Sequence, residues 1–229
     1  MDIWYQSLKA LIGLYSTLFQ GSVHVLGRDN LPEGPKILIG NHANVTDGFI
    51  LPYLVKEKLH FFVQEEFFSI KILGPVFIKA EQIPVVKGEG RKAIDAAKAC
   101  LERGNSVVVF PEGELNHGKD FHRGRTGAVV LASESKVPLV PMGFYVPDRY
   151  MKTLYSNHYN RRTQGRWQFG GPLFVNVGHP KQVPGNLSEE NNYRELRHTS
   201  ARIMEYVSEL VEQARANADR VLKPRSRRI

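Results

Sequence analysis

The chain has 229 residues, 42% of them hydrophobic, which is enough to bury one substantial core and favours one large domain. Its single cysteine, Cys100, excludes an internal disulfide and is typical of a protein in a reducing compartment. No apolar run reaches the length of about 18 residues that predicts a transmembrane helix. Asp2 stands where a secretory signal would carry basic residues, so we expect neither a membrane span nor a signal peptide.

The net charge of +8 is unevenly distributed along the chain. Residues 115–170 carry nine Lys and Arg side chains against three acidic ones, and the last ten residues add five more basic side chains. Such a surface suits anionic partners, namely phosphate esters, anionic lipid headgroups or nucleic acid. The alternative is that these side chains are ordinary solvated surface charges with no partner function.

Residues 3–20 have the periodicity of a helix with an unusually wide apolar arc, about 220° around the axis. An arc of this width predicts either a helix packed on two sides or a helix lying in a membrane interface with aromatic anchors. The centre of the arc is formed by Trp4, Leu8, Leu11, Tyr15 and Leu18.

Short apolar runs that are typical of buried strands alternate with helical patterns along the rest of the chain. Residues 72–88 are apolar and broken by turns. The alternation predicts an α/β fold with a largely parallel central sheet flanked by helices, an N-terminal amphipathic helix and a C-terminal helix. We expect strands within 22–34, 36–42, 59–67, 105–113, 137–144 and 165–178, and helices over 47–59, 90–104, 124–136 and 187–222.

Polar side chains follow two of these predicted strands, at the sheet edge where the chemistry of parallel α/β proteins is usually found. His42 and Asp47 follow the first, and Glu112 follows the second. A carboxylate beside one imidazole nitrogen fixes the tautomer and makes the other nitrogen a better base. On a continuous helix His42 and Asp47 would point about 140° apart, so a catalytic pair requires the chain to turn between them. The alternatives are a structural histidine and an aspartate that only caps a helix.

Four sequence blocks, in the right order, resemble the glycerolipid acyltransferase family, which includes the bacterial 1-acyl-glycerol-3-phosphate acyltransferases. The resemblance extends from about residue 22 to residue 180 and carries the family's α/β fold with it. It divides the chain into an N-terminal helix at 1–20 with possible membrane-interface contact, an acyltransferase domain at 21–185, and a C-terminal helix with a basic tail at 186–229. The blocks are NHANVTD at 41–47, similar to N-H-x4-D; IPVVKGEG at 83–90; FPEG at 110–113, similar to the start of F-P-E-G-T-R; and VPLVPMGF at 137–144.

The resemblance implies transfer of an acyl group from acyl-CoA or an acyl carrier protein to a hydroxyl of a lipid acceptor, with no other cofactor and no metal. His42 would be the general base and Asp47 the residue that orients it. A covalent acyl-enzyme is not expected, because the chain has no G-x-S-x-G motif and Cys100 lies on the apolar side of a predicted helix. The residues expected to bind substrate are Asn41, Lys87, Arg91, Glu112, Gly113 and Arg123.

The chain departs from the family pattern where the family binds phosphate. Glu114 and Leu115 replace the threonine and arginine that follow F-P-E-G, and Lys87 stands in place of the arginine of the second block. Leucine cannot supply forked donors to a phosphate. The acceptor is therefore either a phosphorylated glycerol, with Lys87, Arg91, Lys119, His122, Arg123 or Arg125 compensating, or a non-phosphorylated alcohol, sugar or amine lipid.

His117 and His122 lack a third ligand and the spacing of a zinc site, and the basic segment with interleaved aromatic residues carries no nucleic-acid recognition motif, so neither a metal nor nucleic acid is expected. A catalytically inactive membrane-lipid binding module remains an alternative, although His42 and Asp47 are both present. Because a lipid acceptor is drawn from a bilayer, we expect a peripheral or monotopic protein on the cytoplasmic face of a membrane.

Overall fold

A computed structural model describes residues 2–115, 124–158, 161–187 and 192–223 of the chain. Within this part of the chain, seven strands form one central sheet, namely β1 (Val23–Leu26), β2 (Ile37–Gly40), β3 (Leu59–Gln64), β4 (Ile83–Val85), β5 (Ser106–Val109), β6 (Leu139–Tyr145) and β9 (Leu173–Val177). Their order across the sheet is β1-β9-β6-β2-β5-β3-β4. The five strands from β6 to β4 run parallel, whereas β9 is antiparallel to β6 and β1 is parallel to β9.

Helices cover both faces of the sheet, which explains why its central strands are continuous apolar runs. The helices are α1 (Ile3–Phe19), α2 (Leu51–Leu54), α3 (Leu73–Lys79), α4 (Gly90–Glu102), α5 (Gly127–Ser135) and α6 (Tyr193–Leu222). Ile37 and Ile39 of β2 face α4, α5 and α6, whereas Leu38 between them faces α1 and α2. The predicted α/β fold with a largely parallel sheet is therefore confirmed.

One prediction of local structure was wrong, and another was incomplete. The helix expected over 47–59 ends at Leu54, after a 3-10 turn at Asp47–Ile50 and the single turn of α2. Leu59 and His60 instead pair with β5 in the sheet, so tertiary pairing ends the helix early. The segment at 72–88, expected to be apolar and broken by turns, contains α3 and β4, and Gly74 of α3 lies so close to Phe68 that a β-carbon there would meet the Phe68 carbonyl oxygen.

A two-stranded hairpin stands apart from the central sheet, and the sequence predicted a strand only for its last four residues, 165–168. It consists of β7 (Met151–His158) and β8 (Arg161–Gln168), paired antiparallel along their whole length. The hairpin follows β6 and returns the chain to β9. Its base therefore lies near the carboxyl end of β6, next to the edge where the predicted site residues are found.

The N-terminal helix α1 buries only Tyr5 and Leu8 among its side chains. Ile3, Leu11, Leu14 and Leu18 are each between 48% and 71% exposed, so the helix is not packed on two sides. No helix in the described residues is long and apolar enough to cross a bilayer. The wide apolar arc of the sequence thus corresponds to a largely uncovered surface.

Candidate active site

His42 lies two residues beyond the end of β2, and the neighbouring strand ends hold it there. Asn41 Nδ2 donates to the carbonyl oxygen of Phe144 at 3.0 Å, and the Phe144 N–H donates to Asn41 Oδ1 at 2.8 Å. This double hydrogen bond ties the ends of β2 and β6 together. Asn41 is buried and both polar atoms of its carboxamide are engaged, so we expect it to position His42 and not to contact substrate.

The chain turns sharply between His42 and Asp47, as a catalytic pair requires. Thr46 N–H and Thr46 Oγ1 both donate to Asn44 Oδ1, at 2.9 and 2.5 Å, which closes a tight turn. The Asp47 carboxylate accepts from the Asn44 N–H at 2.8 Å and from Asn44 Nδ2. Asp47 therefore points back toward the loop and does not cap the following helix. Asn44 was not predicted as a site residue, although Asn and Asp close together in sequence are a local signal for such a turn.

The two predicted catalytic side chains face each other. His42 Nδ1 lies 3.6 Å from Asp47 Oδ2, a distance slightly longer than a hydrogen bond. Asp47 is fully buried, and this burial raises the pKa of its carboxyl group above the ordinary value. Nδ1 of His42 is also buried, whereas 23% of the side chain is exposed, so the exposed part lies away from Nδ1. The arrangement leaves Nε2 as the nitrogen open to a reactant.

Phe110 and Glu112, which follow β5, fix the ring and the backbone of His42. The imidazole stacks on the Phe110 ring with 4.2 Å between centroids and 12° between planes. The Glu112 carboxylate, itself buried, accepts the backbone N–H of His42 at 2.8 Å. Glu112 thus connects the two blocks that the sequence placed at strand ends. Nothing in the sequence marks Phe110 as the residue that stacks on the His42 ring.

Gly113 adopts a left-handed backbone conformation with φ of 75°, and the Arg125 guanidinium lies against it. A β-carbon at Gly113 would come within 2.7 Å of Arg125 Cζ, so only glycine permits this approach. Arg125 is held by its backbone N–H, which donates to Pro111 at 2.8 Å. In the described part of the chain its guanidinium makes no ion pair. An arginine therefore borders the FPEG turn, although Leu115 replaces the expected one.

The remaining predicted substrate-binding residues lie farther out. Lys87 is exposed in the turn after β4, at the same edge of the sheet, but β4 is three positions from β2, or about 14 Å at the usual strand spacing. Arg91, at the start of α4, is paired with Glu134 and Asp95, and none of its described contacts leads toward His42. Arg123 lies outside the described residues, as do Lys119, His122 and the basic tail after residue 223.

Cys100 is buried in the contact of α4 with the sheet, as predicted for a core residue. Burial raises the pKa of its thiol, which keeps the group protonated and unreactive. Among the described residues, no group of three histidine, cysteine or carboxylate side chains is arranged to hold a metal ion. His117, one of the two histidines weighed as ligands, is also outside the described residues.

Comparison with known proteins agrees with the motifs. A family described as Acyltransferase matches residues 22–145. The chain is 30% identical to the 1-acyl-sn-glycerol-3-phosphate acyltransferase of Bacillus subtilis over 148 residues, which cover 62% of this chain and 69% of that protein. It is 29% identical to the chloroplastic enzyme LPAT1 of Arabidopsis thaliana over 136 residues, or 57% of this chain and 38% of that protein. The chain thus spans less than two fifths of the length of this plant relative.

The fold has a counterpart among solved structures. The crystal structure of the 1-acyl-sn-glycerophosphate (LPA) acyltransferase PlsC from Thermotoga maritima superimposes with a TM-score of 0.63 at 20% identity. The match covers 90% of this chain and 79% of that one. At this identity the likeness supports the fold alone.

Proposed function

The chain belongs to the acyltransferase family, and from that premise we propose that it transfers a fatty acyl group to a lipid hydroxyl. The donor is acyl-CoA or an acyl carrier protein, and the acceptor is of the 1-acyl-glycerol-3-phosphate type. The names of the similar proteins from Bacillus subtilis and Arabidopsis thaliana support this acceptor. The two donors share a thioester and an acidic carrier, which suits a chain with a net charge of +8.

One observation carries the proposal: His42 faces a fully buried carboxylate through Nδ1, while part of its side chain away from Nδ1 is exposed. In the proposed reaction, Nε2 of His42 takes the proton of the acceptor hydroxyl as its oxygen attacks the thioester carbonyl. The carbon–sulfur bond then breaks, and the departing thiolate takes the proton from the imidazolium. Asp47 holds the tautomer and stabilises the positive ring, and base catalysis of this kind contributes about 10²- to 10⁴-fold.

The acceptor phosphate is assigned to basic side chains near the FPEG turn. Arg125 lies against Gly113 and has no ion-pair partner in the described residues, so its forked donors are available to a phosphate. This position compensates for Leu115, where the family carries arginine. Lys87, Arg91 and Arg123 remain predicted contributors, and Glu112 shapes the pocket because one of its oxygens already holds the backbone of His42.

The membrane is the proposed location of the acceptor. The exposed leucines of α1 and the exposed Ile72 and Ile78 around α3 form an apolar surface, and α1 packs against α3. Lys9 and Lys79 lie on these helices as well. Apolar side chains with basic neighbours are typical of a helix that lies in the interface of an anionic bilayer. We therefore propose peripheral attachment to the cytoplasmic face of a membrane.

The test is an acyl-transfer assay with purified protein, acyl-CoA or acyl carrier protein, and a panel of acceptors. We expect turnover with 1-acyl-glycerol-3-phosphate, and a loss of at least about 10²-fold in His42→Ala. His179→Ala, at an exposed histidine remote from Asp47, is the matched control and should retain activity. Activity that survives His42→Ala would refute the general base.

Glu114 and Leu115 give a specific reason to include non-phosphorylated acceptors in the panel. Turnover of a lipid alcohol, sugar or amine, without turnover of the phosphorylated acceptor, would replace the proposed substrate with that class. Lipid binding without any turnover would support the inactive lipid-binding module.

A further inference from the structure

The β7–β8 hairpin has a composition unlike that of the rest of the fold. Residues 151–168 contain four Lys and Arg side chains and no acidic residue. Arg166 pairs with Asp148, which precedes the hairpin, while Lys152 is exposed and Arg161 and Arg162 occupy β8. A ribbon whose sequence is basic and has no acidic residue attracts anionic surfaces.

The hairpin also exposes apolar and aromatic side chains. Leu154 is 45% exposed and Tyr155 is 59% exposed, and successive residues of a strand point to opposite faces. Leu154 and Tyr155 therefore present apolar surface to solvent on both faces of the ribbon. Leucine and tyrosine beside lysine and arginine are the combination found where proteins enter the headgroup region of a bilayer.

The base of the hairpin is joined to the candidate active site. The Val45 N–H, in the loop between His42 and Asp47, donates to the Arg166 carbonyl oxygen at 2.9 Å. Gly165 lies directly over Val45, because a β-carbon there would be 3.0 Å from Val45 Cγ2. A partner held by the hairpin is thus held next to the loop that positions His42.

The same base is joined to α1, the helix with the exposed leucines. The Tyr15 hydroxyl donates to the Gln168 carbonyl oxygen at 2.6 Å, and the Tyr15 ring lies 5.7 Å from that of Trp167. The Phe19 ring contacts that of Phe169, directly after β8. The hairpin is therefore continuous with the apolar surface of α1.

We infer that the β7–β8 hairpin is a second membrane contact, which binds anionic lipid headgroups beside the active site. The inference extends the proposed membrane association of α1 and rests on that part of the proposed function. An acidic carrier protein would match the charge equally well. The exposed Leu154 and Tyr155 and the continuity with α1 favour the bilayer, because an interface with lipid uses apolar and basic side chains together.

The experiment measures partition of the full chain onto phosphatidylcholine vesicles with and without phosphatidylglycerol. Lys152→Ala should weaken binding to the phosphatidylglycerol vesicles about fivefold at low salt, and Lys152→Glu should weaken it further. Both effects should shrink in high salt. Tyr155→Ser should weaken binding to both kinds of vesicle, since it removes apolar contact.

The matched control is Lys92→Ala, which makes the same charge change on α4, a helix that covers the opposite face of the sheet from α1. An equal loss in Lys92→Ala, or unchanged binding in both Lys152 variants, would overturn the inference. If the Lys152 variants bind vesicles normally but bind an acyl carrier protein more weakly, the hairpin binds the donor protein and the inference is wrong.

Failure of the hairpin assignment can be told apart from failure of the proposed reaction. Lys152 touches none of the groups around His42 among its described contacts, so acyl transfer from detergent-dispersed substrates should be unchanged in Lys152→Ala. Vesicle binding is measured without turnover. A protein that binds phosphatidylglycerol through the hairpin but transfers no acyl group would refute the reaction and keep the inference.

Discussion

The orientation of His42 depends on a short series of residues, each held by the next. Asp47 faces the ring, Asn44 donates twice to Asp47, and Thr46 donates twice to Asn44. Glu112 and Phe110 fix the backbone and the ring from the neighbouring strand. The base is therefore preorganised by buried groups, which a mobile surface histidine would lack.

Asp47→Asn should keep the fold and lower kcat by about 10²- to 10⁴-fold, because an amide neither selects the tautomer nor stabilises the charged ring. The KM for the acyl donor should change little, since Asp47 is buried away from substrate. Initial rates of thiol release across donor concentrations would measure both values. Asp29→Asn, at an exposed carboxylate after β1, is the control, and normal kcat in Asp47→Asn would contradict the assigned role.

Arg125→Ala should raise the KM for a phosphorylated acceptor by about 10- to 150-fold, the range expected when a charge-assisted hydrogen bond is lost. A non-phosphorylated lipid alcohol should be turned over as before. Arg103→Ala is the matched control, because Arg103 lies between α4 and the start of β5, at the opposite edge of the sheet from His42. The prediction is wrong if the two arginine variants raise the KM for the phosphorylated acceptor equally, or if Arg125→Ala changes the KM for both acceptors equally.

At the scale of elements, the sequence predicted the strands and helices whose own residues form a clear local pattern. The strands β2 and β5 are short apolar runs with polar residues directly after them, and α4 has clear helical periodicity ending before Gly104. Their parallel order then brings His42 and Glu112 to one edge of the sheet. The requirement that the chain turn before Asp47 also followed from the angle between helical side chains.

Elements that depend on distant partners could not be predicted in this way. The hairpin residues are polar and mixed, and only pairing between β7 and β8 with attachment to α1 makes them strands. Arg125 lies twelve residues after Gly113, and no local pattern reports that the chain returns its guanidinium to the FPEG turn. These contacts are tertiary, so propensity and periodicity carry no information about them.

Strand β3 buries a histidine that makes the fold sensitive to acid. His60 Nδ1 lies 2.7 Å from the Glu81 carbonyl oxygen, so it must donate, and Nε2 is buried without a partner among the described residues. Burial lowers the pKa of His60 below its ordinary value of 6.5. His60 therefore binds a proton near pH 6.5 in the unfolded chain but only at lower pH in the folded chain. Its contribution to the free energy of unfolding is fully present above pH 6.5 and is lost as the pH falls below this value.

The free energy of unfolding should accordingly fall between pH 7 and pH 5, with a slope of up to about 1.4 kcal/mol per pH unit from this one group. His60→Gln should flatten that slope, because an amide can still donate to Glu81 and does not titrate. Urea denaturation at the two pH values gives the measurement. The exposed His179→Gln should leave the slope unchanged, and an unchanged slope in His60→Gln would refute the assignment.

At the scale of the whole molecule, the active site and the uncovered apolar surface are joined through few contacts. The 3-10 turn that begins at Asp47 packs against α1, since Phe49 meets the ring of Tyr15 edge-on at 5.4 Å. Tyr15 in turn bonds to the end of β8. A bilayer that receives α1 would therefore lie close to the loop that carries His42, which suits an acceptor with its acyl chain still in the membrane.

This arrangement predicts that the exposed leucines of α1 supply binding energy and not fold stability. Replacing Leu11, Leu14 and Leu18 by serine removes about 1 kcal/mol of interfacial burial per half-exposed side chain, so vesicle binding should fall by about 100-fold. The thermal midpoint should shift little, because these side chains are already in water in the free protein. Serine at Val23, Leu26 and Val221, which are exposed on β1 and α6, is the matched control and should leave binding intact. Vesicle sedimentation measures binding, and thermal unfolding measures the stability of both triple variants. If the α1 variant binds vesicles normally but unfolds at a lower temperature, α1 is a packing helix and the proposed membrane contact beside the active site is wrong.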